Sequence, residues 1–273
     1  MQDFLRDLPP GSYVLDLGSA GGSFTNADRP DIVVVRLDLE VQTGVDANFI
    51  VGNAAALPLR SNCLDLVIAN HSLEHFSDLA GSLQEIGRVL KPTGGLLVSV
   101  PDSSTITDRI YRWLARGGGH VNPFVSSKML AGMLTSATQL KLNGIRTLCT
   151  SLSFLNSRNR RARAPMRLYL LGGGSEFSLL LLTFGFRIAD RFFKTRLSVY
   201  GWAFYLGRVL PNAPISEVWT NVCVRCGAGH SSPALLQDGR FLGLRRYQCP
   251  SCNAMNLFTD DADFAHLAVG SDS

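Results

Sequence analysis

Two pairs of cysteines near the carboxyl end have the spacing of metal ligands. Cys223 and Cys226 lie in "CVRC", Cys249 and Cys252 lie in "CPSC", and 22 residues separate the pairs. Each two-residue spacing turns two thiolates to one side of a tight turn, and two such turns together predict a tetrahedral, structural zinc site. Disulfides are the alternative, and His230 between the pairs is an alternative ligand. We expect no secretion signal in "MQDFLRDLPP", which favours reduced cysteines and zinc.

A second stretch, "YVLDLGSAGGSF" at residues 13–24, predicts a ligand-binding turn. An apolar strand that contains Asp16 runs into Gly18 and Gly21, and glycines there let a ligand approach the backbone as a helix begins. Asp38 ends the next apolar run, and an acid at that place accepts hydrogen bonds from both hydroxyls of a ribose. The pattern indicates a nucleoside-containing cofactor, either a nicotinamide dinucleotide or S-adenosylmethionine, and a tight turn without a ligand is the alternative.

Elements of a parallel sheet must position these residues. Near-continuous apolar runs are typical of strands buried on both faces, and they alternate with a helix predicted over 77–90 that Ser77 caps. A further helix is expected at 126–137. The predicted strands are 13–17, 31–39, 48–52, 64–70, 94–100, 144–154 and 198–209. The pattern predicts an α/β fold with a doubly wound, mostly parallel seven-stranded sheet.

The segments "VLDLGSAGG", "VGNAAALPLRSNCLDLVIANHSLEHFSD" and "GRVLKPTGGLLVSVPD" carry a family resemblance. Over residues 13–101 the chain resembles class I S-adenosylmethionine-dependent methyltransferases of the type 11 subfamily, with several motifs in the family's order. The resemblance implies a Rossmann-like fold and methyl transfer from S-adenosylmethionine. It also implies the following cofactor-binding residues: Asp16, Gly18, Ser19, Gly21, Asp38, Asn53, Ala54 and Asn70.

Two positions depart from motifs of related enzymes. Asn53 stands where the family usually has Asp, and its amide oxygen can still accept a hydrogen bond from the adenine amino group. Asn70 opens "NHSLEH", whereas enzymes that methylate base amino groups often continue with two prolines and an aromatic residue. The second departure argues against amino methylation of nucleic-acid bases.

Methyl transfer to a hydroxyl or a protonated amine needs a general base, and histidine titrates near neutral pH. His71 follows the predicted fourth strand directly, at the edge where the acceptor should lie, and we predict it as a catalytic residue. His120, in "GGGHVNPF", is the second catalytic candidate, on a loop that could close over the cleft. His75 in "LEH" is more often structural in the family, and a plain loop histidine is the alternative for His120.

Charge and hydropathy suggest partners for the second half of the chain. Residues 1–100 carry 6 Lys or Arg against 12 Asp or Glu, and residues 101–273 carry 20 against 10. An insertion over 156–197 places five arginines before an apolar stretch, so residues 158–186 are a candidate for peripheral contact with an anionic membrane. A helix packed on the sheet is the alternative. No stretch is long enough to span a membrane, and we expect a cytoplasmic protein that is at most peripheral to the membrane.

The predicted domain organisation has three parts. Residues 1–215 form the methyltransferase domain, 216–258 a strand-turn-strand zinc ribbon, and 259–273 a disordered tail. We predict S-adenosylmethionine and a structural zinc ion as cofactors, and a small-molecule, lipid or saccharide oxygen as the methyl acceptor. Two alternatives stay open. One is an RNA or protein methyltransferase that recognises its substrate through the ribbon, whose arginines could contact nucleic acid, and the other is a noncatalytic cofactor-binding module.

Overall fold

Seven strands form one sheet in the computed structural model, which describes residues 5, 7–19, 29–40, 48–114, 119–159, 174–208 and 217–269. The strands are β1 (Tyr13–Leu17), β2 (Val33–Asp38), β3 (Phe49–Val51), β4 (Leu64–Asn70), β5 (Leu90–Pro101), β6 (Leu142–Cys149) and β7 (Val199–Gly207). Their order across the sheet is β3-β2-β1-β4-β5-β7-β6. Parallel pairing joins β1 to β2 and β4, β2 to β3, and β4 to β5. The predicted doubly wound, seven-stranded α/β fold is therefore confirmed.

The central strands are apolar along their whole length because both faces of the sheet are covered. Val14 and Leu15 of β1 are fully buried, and so are Val67 to Ala69 of β4. In β5, every residue from Gly95 to Pro101 is buried. Side chains that are buried on alternate sides account for the near-continuous apolar runs in the sequence.

Five α-helices lie between or beyond these strands in the described part of the chain. They are α1 (Leu79–Val89), α2 (Ile106–Leu114), α3 (Ser127–Thr138), α4 (Glu176–Phe193) and α5 (Ser232–Gln237). The predicted cap of α1 was wrong by one residue. Asp78 precedes the helix and its carboxylate accepts from the backbone N–H of Gly81 at 2.9 Å, which satisfies a free donor of the first turn. Ser126 caps α3 in the same way, with its side chain accepting from Met129 N.

The chain divides into two units. The first comprises Met1–Pro101, Gly119–Ile145 and Trp202–Ile215, and holds the five strands β1 to β5 and most of β7. The second comprises Asp102–Gly118, Arg146–Gly201 and Ser216–Ser273. Helix α4, from the predicted insertion, thus belongs to the same unit as the cysteine segment. The predicted domain boundaries at residues 215 and 258 stay a prediction.

Contacts within the second unit explain this grouping. Leu179 of α4 shares an apolar cluster with Val224, and the side-chain amide of Asn156 donates to the carbonyl of Val224 at 3.0 Å. The Arg225 guanidinium donates to both carboxylate oxygens of Glu176, at 2.7 and 2.8 Å. These contacts hold the cysteine segment, which has little apolar core of its own, against α4.

Two further predictions for the carboxyl end were wrong. Between the cysteine pairs, the strand β9 (Gly229–His230) leads into helix α5, whose N-cap is Ser231, so the segment is not strand-turn-strand. Two antiparallel ladders complete it: β8 (Asn221–Val222) with β9, and β10 (Arg246–Gln248) with β11 (Met255–Leu257). The predicted disordered tail forms a 3₁₀ helix over Asp261–Leu267, because burial of Phe264 and Leu267 stabilises it.

Candidate functional site

The carboxyl ends of β1, β2 and β4 bring together three residues that the sequence singled out. Leu17 pairs with Leu37, and Asp16 pairs with Ile68, so the parallel register places Gly18 level with Asp38 on one side and Asn70 on the other. A backbone hydrogen bond runs from the N–H of Gly18 to the carbonyl of Leu37 at 2.8 Å. This edge of an open parallel sheet is where ligands bind in such folds.

Gly18 is required at this edge for two reasons. Its φ is +69°, in the left-handed region, and a Cβ atom at its position would lie 2.5 Å from the Cβ atom of Ser72. The same atom would lie 3.5 Å from the ring of Phe76. The segment that follows β4 therefore packs directly on the glycine turn, and any larger residue would push the two apart.

The neighbours of Gly18 are buried polar groups. Asp16 is 1% exposed and Ser19 is 6% exposed. The Ser19 hydroxyl has no hydrogen-bond partner among the described residues. A buried hydroxyl without a protein partner is a group that a bound polar ligand can satisfy. Gly21 and the helix predicted to begin there lie outside the described residues.

Asn53 and Ala54 lie just after β3, next to the end of β2. The carbonyl of Asp38 accepts from the N–H of Gly52 at 2.9 Å, which ties this turn to the second strand. The side-chain oxygen of Asn53 accepts from the N–H of Ala55 at 2.9 Å, while Ala54 is buried. Asn53 therefore stabilises its own turn, and one lone pair of its amide oxygen is already engaged.

The four cysteines near the carboxyl end form one cluster. Their sulfur atoms all lie within 4.8 Å of one another, with Cys223 to Cys252 at 3.6 Å and Cys226 to Cys249 at 3.7 Å. Zinc–sulfur bonds of about 2.3 Å in a tetrahedron separate the sulfurs by about 3.8 Å. The cluster therefore has the dimensions of a four-thiolate metal site, and it could hold a metal ion.

Donors around this cluster suit thiolates. The N–H of Arg225 and the side-chain amide of Asn256 both donate to the sulfur of Cys223, at 3.4 and 3.3 Å. His230 lies outside the set of four, with its Nε2 3.4 Å from the sulfur of Cys249. The pKa of the Cys223 thiol is lowered, mainly because the thiols of Cys226 and Cys249 form hydrogen bonds to its sulfur. Such surrounding donors orient metal ligands.

Residues 10–98 match the family described as a methyltransferase domain. The matched segment contains the glycine turn, Asp38, Asn53 and Asn70. Residues 10–98 thus form a methyltransferase domain. The crystal structure of a SAM-dependent methyltransferase from Archaeoglobus fulgidus has the same fold, with a TM-score of 0.51 and 16% identity over 76% of this chain and 90% of that chain.

Curated relatives share part of their length with this chain. The malonyl-[acyl-carrier protein] O-methyltransferase 1 of Coxiella burnetii is 34% identical over 138 residues, which are 49% of this chain and 48% of that protein. The malonyl-[acyl-carrier protein] O-methyltransferase of Methylococcus capsulatus is 28% identical over 185 residues, 59% of this chain and 67% of that protein. The chain thus spans about half the length of the first relative and about two thirds of the second.

The methyltransferase domain places His71 at the predicted edge. The hydroxyl of Ser99 donates to the side-chain oxygen of Asn70 at 2.6 Å, and the N–H of His71 donates to the carbonyl of Ser99 at 3.0 Å. His71 has a φ of +53° and its Nδ1 lies 3.6 Å from Glu74 Oε1. This left-handed conformation costs a residue other than glycine about 1–3 kcal/mol, and it persists only where the surrounding structure holds it.

His120 lies against the short 3₁₀ helix Leu73–His75 of the methyltransferase domain. The rings of His120 and His75 are 4.9 Å apart, centre to centre. The next residues are fastened to this helix: Val121 and Asn122 donate their N–H groups to the carbonyl of Glu74, and the Asn122 side chain donates to the carbonyls of Leu73 and Phe76. The segment that follows His120 is therefore held in place by four hydrogen bonds.

Helix α4 lies partly within residues 158–186, the candidate for peripheral membrane contact. Its buried residues are Leu179, Thr183, Arg187 and Asp190, so one face is buried within the second unit, where Leu179 shares an apolar cluster with Val224 of the cysteine segment. Packing on the sheet, which the alternative interpretation expected, stays a prediction. Phe177, Leu181, Phe192 and Phe193 are exposed. Within the described ranges, no helix is both long and apolar enough to cross a bilayer. Arg158 pairs with Glu176 at 3.1 Å, and the other four arginines of the run lie outside the described residues.

Sequence reasoning missed one cluster entirely. Glu74, His75 and His120 each direct one ligand atom into a group whose members lie within 4.8 Å of one another. The spacing of Glu74 and His75 along the chain gives no signal of this, since His120 comes 45 residues later. The sequence signals that could have suggested it are the adjacent Glu74 and His75 in "LEH" and the histidine that ends "GGGH".

Proposed function

We propose that this protein is an S-adenosylmethionine-dependent methyltransferase. The observation that carries the proposal is the edge of the sheet at which Gly18, Asp38 and Asn70 lie side by side, within the segment that matches the methyltransferase domain family. The buried Ser19 hydroxyl, which has no partner among the described residues, fits a polar ligand at this edge.

Each of the predicted residues would have a distinct part in holding the cofactor. Asp38 would accept the hydrogen bonds of the ribose hydroxyls, and the turn at Gly18, Ser19 and Gly21 would face the amino-acid portion. Asp16 would organise this turn from below. The turn at Asn53 and Ala54 would border the adenine, and Asn70 would close the edge from β4.

S-adenosylmethionine, when bound, supplies an activated methyl group, so the protein chiefly has to align the acceptor. His71 lies next to Asn70 at the same edge, and its side chain is 33% exposed. We assign it the role of accepting the acceptor's proton where the acceptor is a hydroxyl. A carboxylate acceptor is already deprotonated at neutral pH and needs only alignment. His120 is the other candidate for this proton.

An oxygen atom of a small molecule or a carrier-linked or lipid-linked group is the acceptor that we favour. Support comes from the two malonyl-[acyl-carrier protein] O-methyltransferases, to which the chain is similar over 138 and 185 residues. The carboxylate of a carrier-linked acid is therefore the first acceptor to test. The four-cysteine cluster would hold a structural zinc ion, since its four thiolates leave no position open.

The proposal is tested with cofactor labelled on its methyl group and a cell extract. Purified protein is incubated with both, and the organic, small-molecule, carrier-protein, other protein and RNA fractions are separated. Label in the small-molecule, organic or carrier-protein fraction is the expected result. Label in RNA or in other proteins would replace the acceptor with a macromolecule, and no label with the cofactor bound would leave a noncatalytic binding module.

A matched pair of variants tests the cofactor site. Asp38→Asn should weaken S-adenosylmethionine at least about tenfold in calorimetry, because hydrogen bonds to a charged group contribute about 1.5–3 kcal/mol. Asp65→Asn is the control, since Asp65 lies at the opposite end of β4 and pairs with Lys91 at 2.9 Å. Equal affinity in the two variants would overturn the assignment of Asp38.

A further inference from the structure

A second group of ligand atoms lies in the methyltransferase domain, just beyond the carboxyl end of β4. One carboxylate oxygen of Glu74 and one imidazole nitrogen each from His75 and His120 lie within 4.8 Å of one another. Two imidazoles and one carboxylate form a common ligand set for first-row divalent ions. The group differs from the cysteine cluster in its place, because the cysteines belong to the second unit.

The orientation of His75 is fixed in the way expected of a ligand. Its Nδ1 lies 3.0 Å from the carbonyl oxygen of Gly119. A carbonyl only accepts, so Nδ1 carries the proton and the lone pair is on Nε2. Metal-binding histidines usually donate their second N–H to a backbone carbonyl or a carboxylate in this manner. Gly119 has a φ of +74°, and a Cβ there would lie 3.4 Å from His75 Nδ1, so the backbone approaches the ring closely.

Glu74 supplies an independent observation. The residue is 1% exposed, and its Oε2 has no hydrogen-bond partner among the described residues. Its other oxygen lies 3.6 Å from His71 Nδ1, longer than a hydrogen bond. Burial of a carboxylate is costly unless a cation or strong donors compensate its charge. A cation held together with the two imidazoles would provide that compensation.

We propose that Glu74, His75 and His120 bind one divalent transition-metal ion. Imidazole favours zinc, iron, cobalt or nickel over magnesium or calcium, and three protein ligands leave at least one coordination position open. An open position distinguishes this site from the closed cysteine cluster.

The location of the site suggests its use. Ser72 and Phe76, on either side of the three-residue helix that carries Glu74 and His75, pack against Gly18 of the cofactor turn. A metal ion here would polarise an acceptor oxygen and hold it in place, leaving the proton of a hydroxyl acceptor to His71. This use rests on the proposed function, whereas metal binding itself does not.

Cobalt(II) is the probe for the site, because its absorption depends on the ligands. The full-length protein is titrated with Co²⁺ under reducing conditions, without cofactor or acceptor. We expect two bound cobalt ions, one with the near-ultraviolet band of thiolate ligation and one with weak visible bands only. His120→Gln should weaken the second ion at least about tenfold and leave the thiolate band unchanged.

His266→Gln is the matched control, since His266 lies in the second unit and outside both clusters. Glu74→Gln, checked for folding by thermal unfolding, should weaken the same ion as His120→Gln. Binding of the thiolate-type ion alone, or a second ion that neither variant weakens, would overturn the proposal. Because the titration measures cobalt binding and no methyl transfer, its result does not depend on the proposed function. Methyl transfer by a protein that lacks the second ion would refute only the proposed role of the metal in holding the acceptor.

Discussion

The glycine turn offers the sharpest test of the site, because Gly18 can be compared with Gly11, a glycine of the same unit that differs from it only in the space around a new side chain. Gly18 and Gly11 both have positive φ, +69° and +78°. An alanine in this conformation costs about 1–2 kcal/mol at either position. Only at Gly18 would the new Cβ meet another atom, the Cβ of Ser72 at 2.5 Å, whereas nothing lies within 4 Å at Gly11.

The difference between the two variants isolates the contact with Ser72. Forcing a methyl group into a packed region costs about 1–3 kcal/mol, so Gly18→Ala should lower the free energy of unfolding by about 2–5 kcal/mol. Gly11→Ala should lower it by about 1–2 kcal/mol. The gain that alanine brings by restricting the unfolded chain is common to both and cancels.

Urea unfolding followed by circular dichroism measures both values, and calorimetry with S-adenosylmethionine measures the site. The double variant Gly18→Ala, Ser72→Gly should recover about 1–3 kcal/mol relative to the sum of the single variants, since the second change removes the colliding atom. Gly18→Ala should also weaken the cofactor, and Gly11→Ala should not. Equal destabilisation by the two alanines, or no recovery in the double variant, would refute the packing of Ser72 on the turn.

The second unit yields two further predictions. Cys226→Ser should abolish retention of zinc against a chelator and lower the unfolding temperature, because the four thiolates bind the ion together. Cys63→Ser, the control, should do neither. Zinc that Cys226→Ser still retains, measured by atomic emission, would contradict the predicted zinc site. The hydrogen bonds from Arg225 are the main reason why the pKa of the Glu176 carboxylate lies below its ordinary value of 4.5. This pair therefore stabilises the fold fully above about pH 4.5, and the stabilisation is lost as the pH falls through the lower folded pKa. Unfolding curves of Glu176→Gln between pH 7 and pH 3 should therefore show a flatter dependence, by at most about 1 kcal/mol because both side chains are partly exposed, and a slope equal to that of the wild type would contradict this.

The sequence by itself determined the sheet and the edge at which the candidate site lies. Continuous apolar runs predict strands buried on both faces, and the ends of parallel strands necessarily meet at one edge. The meeting of Gly18 with Asp38 therefore follows from two local patterns, and the structure confirms the strands that carry them. The cysteine pairs could likewise be predicted from local sequence, because each two-residue spacing fixes the geometry of two neighbouring thiols.

Only the tertiary structure decided which distant residues meet. His120 joins Glu74 and His75 through hydrogen bonds between loops, and no periodicity in the sequence records such contacts. The segment 261–267 is polar enough to predict disorder, yet Phe264 and Leu267 find an apolar cluster that other parts of the chain provide. Local patterns report the backbone preferences of a segment, whereas the free energy of burial depends on partners that folding alone brings together.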